Sequence, residues 1–261
     1  MNSLFGFIFF GLGLIIGSFL NVVIYRLNTK KSLGGRSACM SCRNKLHWYE
    51  LVPVFSFLGL GGRCRSCKTR ISLQYPLVEF LSGVIFFSTF LKFQDILFVD
   101  SLSFIISFVY FATMFSLLLV IATYDLKHKI IPDQMSLAFG ILSFIGLFLF
   151  DSFGFSPHIP TLLEFSSGVI VALPFALLFF VSSGTWMGFG DAKLALGLGW
   201  FIGLSRVLSG VMVAFWSGAI VGILLMFVGP RLKMKSEIPF APFLVLGTFL
   251  AFIFELHIFP F

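Results

Sequence analysis

Two aspartates stand out in a chain that is otherwise mostly hydrocarbon, and they are the residues from which chemistry can be expected. Asp125 follows a long apolar run, and Asp191 follows the turn Gly188-Phe189-Gly190. An ionisable side chain within the membrane costs several kcal/mol or more, so each carboxylate needs a reason for its position. Two carboxyl groups about 3 Å apart share one proton, and such a pair can hydrolyse a peptide with one acid and one base. We therefore expect Asp125 and Asp191 to meet and form one catalytic pair.

Each aspartate also has a purely structural interpretation. Asp125 can mark the end of a helix, and Asp191 can cap the helix that follows it, because aspartate is a favoured N-cap residue. Asp133, which follows Pro132, is interpreted as a helix cap. The two glycines before Asp191 favour catalysis, because they leave room for an extended substrate backbone. The sequence leaves the distance between the two carboxyl groups open.

The four cysteines form two C-x-x-C knuckles in one basic segment, as Cys39 with Cys42 and Cys64 with Cys67. Each knuckle presents two thiolates from a tight turn, and four thiolates match the tetrahedral coordination of structural zinc. Two disulfides are the alternative, but the compartment expected for this segment is reducing. We predict a structural zinc ion without an open coordination position, and we interpret the nearby His47 as a surface residue.

The composition indicates a polytopic membrane protein of the all-α class. The 261 residues are 58% hydrophobic and only 11% charged, whereas about a quarter of the residues in globular proteins are charged. About eight transmembrane helices can be drawn, with a small zinc-ribbon-like loop between the first and the second. The expected spans lie at roughly 4–24, 77–93, 101–124, 134–150, 163–182, 192–204, 207–228 and 240–257.

These spans divide the chain into three expected domains. They are a first transmembrane helix at roughly 1–25, a cysteine-rich metal-binding loop at 26–76, and a transmembrane core with both aspartates at 77–261.

The basic residues predict the orientation in the membrane. Ten of the 18 lie between Arg26 and Arg70, and a further group comprises Arg231, Lys233 and Lys235. Cytoplasmic loops retain lysine and arginine, so the cysteine-rich loop is expected in the cytoplasm and the N-terminus outside. Both aspartates then lie on the cytoplasmic side. A nucleic-acid surface is the less favoured explanation of the charge.

Several motifs together carry a resemblance to a known family. Tyr124-Asp125 with Gly188-Phe189-Gly190-Asp191 resembles the GxGD-type intramembrane aspartyl proteases. The other motifs are Gly17-Ser18-Phe19-Leu20-Asn21, the two cysteine knuckles, Tyr75-Pro76-Leu77-Val78-Glu79, Ile130-Ile131-Pro132-Asp133, Gly190-Asp191-Ala192-Lys193-Leu194 and Pro239-Phe240-Ala241-Pro242-Phe243. In this order they are similar to bacterial prepilin peptidases, the leader peptidase/N-methyltransferases of type IV pilus, type II secretion and competence systems.

The resemblance implies an aspartic endopeptidase in which Asp125 and Asp191 are catalytic. Gly188-Phe189-Gly190 and Lys193 would then form the active-site turn that meets the substrate. The implied substrates are prepilins or pseudopilins, cut after a glycine that separates a basic leader from an apolar helix. Cleavage would occur at the cytoplasmic boundary of the bacterial inner membrane, where the chain is multi-pass in the lipid bilayer.

The same resemblance implies a second activity, methylation of the new N-terminus by S-adenosylmethionine, although the sequence carries no recognisable fingerprint for this cofactor. Glu79 lies about one turn inside the second span. It is interpreted either as a helix-packing hydrogen bond or as a contact to the methyl-transfer site or the substrate. Asn21 has the same two interpretations, and the structural one is favoured.

Two other classes of function are less favoured. An ion transporter is disfavoured because the acidic residues lie at the ends of spans and not at their centres. A zinc-bearing scaffold has no need of the Gly188–Asp191 turn. No nucleic-acid partner is expected, and the sequence leaves open whether the chain forms a homodimer.

Overall fold

The computed structural model describes residues 2–29, 32, 34–151, 154–228 and 238–258, so Arg231, Lys233 and Lys235 lie outside the described residues. These residues form nine α-helices, a short 3₁₀ helix (Trp48–Leu51) and one pair of antiparallel strands. The helices are α1 (Asn2–Arg26), α2 (Phe55–Gly59), α3 (Gln74–Leu97), α4 (Ser101–His128), α5 (Asp133–Gly146), α6 (Leu162–Ser182), α7 (Phe189–Ile202), α8 (Leu204–Val228) and α9 (Ala241–Ile253). The strands are β1 (Phe150–Asp151) and β2 (Gly154–Phe155), and Phe150 pairs with Phe155.

The all-α membrane class is confirmed. In the part of the chain that the structure describes, five helices are long and apolar enough to cross a membrane, at Leu4–Arg26, Gln74–Leu97, Ser101–His128, Leu162–Ser182 and Leu204–Phe227. The other three predicted spans coincide with the shorter helices α5, α7 and α9, of 14, 14 and 13 residues. At about 1.5 Å per residue these helices are near 20 Å long, less than the roughly 30 Å of a bilayer core. The number of complete crossings therefore stays a prediction.

The chain forms two compact units, Met1–Gln94 and Asp95–Phe261. In the first unit, α1 packs closely against α3 because two glycines lie in the contact. A Cβ atom added at Gly17 would be 2.6 Å from the Cα atom of Glu79, and one at Gly13 would be 2.6 Å from the carbonyl oxygen of Ser82. Small residues allow membrane helices to approach in this way.

In the second unit, the short helix α7 is packed against α5, α6, α8 and α9. Gly199 lies so close to α6 that an added Cβ atom would be 2.6 Å from the Cα atom of Gly168. An aromatic cluster joins α4, α7 and α9, with Phe115 5.2 Å from Phe201 and Phe111 4.7 Å from Phe252 between ring centroids. These contacts join the C-terminal ends of α7 and α9 to the middle of α4.

The packing of α1 on α3 gives a direct prediction. Gly17→Ala places a methyl group against the α3 backbone, which cannot move aside as a flexible side chain can. We expect this variant to lose about 1–3 kcal/mol of stability. Gly11 has open space around it, so Gly11→Ala should be neutral or stabilising by up to about 1 kcal/mol, because alanine favours helix. Thermal unfolding in one detergent measures both variants, and equal stabilities would contradict the close α1–α3 contact.

Candidate active site

Asp125 lies in the last turns of α4, with only 5% of its surface exposed. Lys129 is the C-cap residue of α4. It adopts the left-handed conformation (φ 56°) and donates its N–H to the Asp125 carbonyl at 2.7 Å. The Asp125 carboxylate (Oδ2) accepts a hydrogen bond from the backbone N–H of Ala241, at 3.3 Å. Ala241 is the first residue of α9, and free N–H groups at a helix start favour negative charge. Asp125 is therefore both buried and held by a helix N-terminus.

Asp191 lies in the first turn of α7 and is 8% exposed. Gly188 is the N-cap residue of α7, in extended conformation (φ −75°, ψ 148°), and the N–H of Asp191 donates to its carbonyl oxygen at 3.2 Å. The interpretation of Asp191 as the cap residue is therefore wrong. Its carboxylate sits instead within the helix start, where the helix dipole favours a negative charge.

The two carboxylates interact electrostatically, although they come from helices that are distant in the sequence. Both are buried, in a region where a low dielectric strengthens the interaction between charges. Two like charges that repel each other in such a region favour a state in which only one of the two groups is ionised.

The glycines of the turn have different surroundings. A Cβ atom at Gly190 would be 2.9 Å from the Cβ atom of Ile131, so a larger residue would push this turn away from the segment between α4 and α5. Gly188 has much more room, since the nearest atom to an added Cβ would be Oδ2 of Asp191 at 3.7 Å. The open side of the turn therefore lies next to the Asp191 carboxylate.

Lys193 and Phe189 flank the turn on its exposed side. The Lys193 ammonium lies 5.4 Å from the centre of the Phe189 ring, which also packs against Phe179 at 5.2 Å. Lys193 donates a hydrogen bond to Asp133 at 2.7 Å. Asp133 is the first residue of α5, Pro132 is the cap residue, and no side chain bonds to that helix end, so the predicted cap role of Asp133 is wrong. The ion pair is exposed and is worth roughly 0–1 kcal/mol.

Two of these contacts were not expected from the sequence. The first is the Ala241 N–H at the Asp125 carboxylate, for which Pro242 at the second position of α9 is the available signal, because proline favours the first turn of a helix. The second is the Lys193–Asp133 pair, for which opposite charges near the starts of α7 and α5 are the only hint.

In the first unit, the four cysteine sulfurs all lie within 4.8 Å of one another. A tetrahedral ion with bonds of about 2.3 Å to sulfur requires sulfur–sulfur distances near 3.8 Å, and the Cys39 and Cys67 sulfurs are 3.7 Å apart. All four are free thiols. The Thr69 hydroxyl, 3.2 Å from the Cys67 sulfur, lowers the pKa of Cys67 to about 6, towards the thiolate that a metal requires. This cluster can bind a metal ion.

The residue that follows each knuckle supports the same geometry. Each knuckle closes on a residue with positive φ, Arg43 (58°) and Lys68 (59°), whose N–H groups donate to the carbonyls of Cys39 and Cys64. His47 is exposed and stacks on Tyr49 at 5.3 Å, outside the sulfur cluster.

Glu79 and Asn21 make hydrogen bonds within the first unit. The Glu79 carboxylate accepts from the N–H of Val54 at 2.7 Å and is hydrogen-bonded to the Ser18 side chain. The Asn21 amide donates to the carbonyl of Tyr75 at 3.0 Å. These bonds match the helix-packing interpretation of both residues, and a role of Glu79 in methyl transfer stays a prediction.

Comparison with known proteins places the chain in a family. Residues 12–93 match the family profile of the bacterial peptidase A24 N-terminal domain, and residues 112–226 match that of the type IV leader peptidase family. The relatives include proteins named prepilin leader peptidase/N-methyltransferase. The one from Myxococcus xanthus is 34% identical over 91% of this chain and 69% of the relative. The one from Bacillus subtilis is 31% identical over 95% of this chain and 93% of the relative. No solved structure is significantly similar to the chain.

The chain is therefore a multi-pass membrane enzyme. It belongs to the type IV leader peptidase family, as its resemblance to the prepilin peptidases predicted.

Proposed function

We propose that this enzyme is an aspartic endopeptidase that removes the leader of prepilins or pseudopilins. The observation that carries the proposal is the charge interaction between two buried carboxylates, Asp125 from α4 and Asp191 from α7. Peptide hydrolysis at such a pair needs neither a metal nor a covalent nucleophile. Relatives that are named prepilin leader peptidase/N-methyltransferase, and that match nearly the whole chain, give the substrate class.

In the reaction that we propose, one aspartate is ionised and the other is protonated. The ionised carboxylate accepts a proton from water, whose oxygen attacks the scissile carbonyl carbon. The protonated aspartate donates its proton to the carbonyl oxygen. When the tetrahedral intermediate collapses, the carbon–nitrogen bond breaks and the leaving amine takes up the proton from the first carboxylate. A hydroxyl group of the intermediate returns its proton to the second aspartate as the new carboxyl group forms. The pair is then back in its starting state of one proton.

The open side of the turn suggests how the substrate is held. An extended substrate backbone can approach Asp191 over Gly188, where an added side chain would occupy the space. Phe189 and Lys193 lie on the exposed flank of the turn and are placed to contact the residues around the scissile bond. We propose these residues, with Gly190, as the substrate-contacting turn. The bond cut would follow a glycine at the cytoplasmic boundary of the inner membrane.

We propose zinc as the ion at the cysteine cluster, with a structural role. Four thiolates fill a tetrahedral coordination shell, so no position is left for a reacting water molecule. The loop that they join is about 50 residues long and has little core of its own, so a metal would supply much of its folding energy. The basic residues of this loop favour a location of the loop and the active site in the cytoplasm.

We propose methylation of the new N-terminus as a second activity, because the relatives carry it in their name. The freed α-amine, whose pKa is ordinarily about 8, is partly neutral at cellular pH and can act as a nucleophile. S-adenosylmethionine supplies the methyl group. A cavity of about 340 Å³ on the cysteine-bearing loop is lined by Lys45 and Arg65 among others, whose charge disfavours a sulfonium cation, so we assign it no donor. Glu79 is our candidate for a methyl-transfer or substrate contact.

Loss of either carboxylate should abolish cleavage. We expect Asp125→Asn and Asp191→Asn each to lower kcat/KM for a prepilin at least about 10³-fold, since each removes a proton-transfer partner. Leader loss followed on a gel, with purified enzyme in detergent, measures the effect. Asp95→Asn, which alters an exposed carboxylate at the end of α3, is the control and should retain activity. Retention of activity in either of the first two variants would defeat the proposal.

Metal analysis of the purified protein should find one zinc per chain. Cys64→Ser should lose the ion and lower the unfolding temperature, because one of the four sulfur ligands is removed. His47→Ala, on the same loop but outside the cluster, should keep it. The proposal fails if the wild-type protein holds no stoichiometric metal, or if a thiol reagent labels all four cysteines freely.

Glu79→Gln separates the two interpretations of that residue. If Glu79 contacts the methyl-transfer site, radiolabel transfer from S-adenosylmethionine to the cleaved pilin should fall at least about tenfold, while leader cleavage stays near wild type. If both activities fall together with the unfolding temperature, Glu79 is a packing residue only. Absence of transfer in the wild-type enzyme would leave a peptidase alone.

A further inference from the structure

The cysteine-bearing loop exposes a group of large apolar side chains on two short helices. The 3₁₀ helix carries Trp48 (78% exposed) and Leu51 (40%), and α2 carries Phe55 (67%) and Leu58 (68%). Residues three apart share one face of a 3₁₀ helix, and nearly so in an α-helix. Each helix therefore presents one apolar face. The four residues Trp48, Leu51, Phe55 and Leu58 are called the apolar patch below.

The two short helices pack against one another and leave a concave surface between them. A cavity of about 330 Å³ lies there, and Tyr49, Val52, Phe55 and Leu60 contribute to its lining. Large exposed apolar side chains grouped on adjacent helices are typical of an interaction site with a protein or a membrane.

A hydrogen bond fixes the height of the patch relative to a membrane helix. The N–H of Val54, the residue directly before α2, donates to the Glu79 carboxylate at 2.7 Å. Glu79 lies in the second turn of α3, which is long and apolar enough to cross a membrane. Its neighbours Leu77 and Phe80 are 54% and 50% exposed, as expected of side chains that face lipid. Helix α2 therefore begins at the level where α3 enters the bilayer.

The backbone at Val54 is consistent with a fixed attachment. Val54 has φ 61° and ψ −50°, a conformation that a β-branched residue rarely adopts. Such strain persists only where surrounding contacts hold it, and the bond to Glu79 is one of these contacts.

The charge around the patch selects between partners. The segment from Arg26 to Arg70 contains ten basic residues and one acidic residue, Glu50. A zinc ion with four thiolates carries two negative charges, so the loop stays strongly basic with the ion bound. A second copy of this loop would be repelled, whereas anionic lipid headgroups attract lysine and arginine at about 1 kcal/mol each. Tryptophan is also the residue type that membrane interfaces favour.

We propose that the apolar patch is seated in the interfacial layer of the bilayer, on anionic lipid, while the surrounding lysines and arginines bind the headgroups. The loop then lies along the membrane surface and does not extend away from it. This seat is distinct from the membrane-spanning helices, and it is independent of whether the aspartate pair cleaves prepilins.

Fluorescence of Trp48 tests whether the apolar patch lies in the interfacial layer. The experiment uses the full-length, metal-loaded protein in vesicles of phosphatidylcholine and phosphatidylglycerol. The difference between wild type and Trp48→Phe isolates the Trp48 emission from that of the other three tryptophans. Lipids brominated near the top of the acyl chains should quench more than about half of this emission, because an interfacial side chain is buried about 5–10 Å deep. Acrylamide in the water should quench it weakly.

Two other outcomes overturn the proposal. Strong quenching by acrylamide without quenching by brominated lipid would place the patch in water. Protection from both quenchers would mean that protein covers it, for example a second copy of the chain.

A matched pair of variants distinguishes insertion of the apolar patch into the interface from mere closeness of the loop to lipid. Phe55→Asp should reduce the lipid quenching of Trp48 at least about twofold, because a charge in the interface is unfavourable, whereas Phe55→Leu should leave it unchanged. Unchanged zinc content in both variants shows that the loop is folded. Equal lipid quenching in the two variants would also contradict the proposal.

Discussion

The cost of placing a carboxylate in a medium of low dielectric governs the second unit of this protein. Asp125 and Asp191 are each less than a tenth exposed, and an ionised group in such a place requires dipoles or hydrogen bonds that replace water. Both receive them from helix starts, Asp125 from α9 and Asp191 from its own helix α7. This requirement explains why two short helices begin beside the end of α4. Irregular backbone is tolerated at membrane depth only where protein or a water-filled cavity surrounds it.

In the first unit, a few specific contacts hold the cysteine-bearing loop in place. Its loop has too few buried apolar residues to fold alone, and among the described residues only Cys64 is buried there. The sulfur cluster closes the loop from within, and the bond from Val54 to Glu79 fastens it to α3. A buried carboxylate thus serves as an attachment point in one unit and, in the function that we propose, as a reactive group in the other. The difference lies in its neighbours, since Glu79 meets an amide and a hydroxyl, whereas Asp191 meets a second carboxylate.

Much of this arrangement could be predicted from the sequence. Apolar runs of about 20 residues locate the long helices, because the bilayer sets their length. Two C-x-x-C knuckles predict the sulfur cluster, because thiolate pairs on tight turns converge on one ion. The family followed from motifs in a fixed order, and the comparisons confirm it. The closeness of Asp125 and Asp191 was inferred only from their expected depth, since helix packing over long sequence separations leaves no local pattern.

What the sequence could not give are contacts that depend on the rotation and offset of helices. Asp133 was expected to cap α5, since aspartate favours that position, but Pro132 is the cap and the Asp133 carboxylate binds Lys193 instead. The packing of α5 beside α7 brings these two side chains together, and no local sequence pattern shows that packing. The Ala241 N–H at Asp125 has the same origin, because it requires the start of α9 to lie beside the end of α4.

The glycines of α7 have a consequence for how the enzyme tolerates change. Gly197 contacts Phe139 of α5 on one side, and Gly199 contacts Gly168 of α6 on the other, both without space for a methyl group. A helix that is packed this closely on two sides cannot shift, so Asp191 lies in a rigid part of the fold. In the function that we propose, adaptation to substrates of different shape would be confined to the roomier end at Gly188. Substitutions should be tolerated along the lipid-facing helices and rarely tolerated along α7.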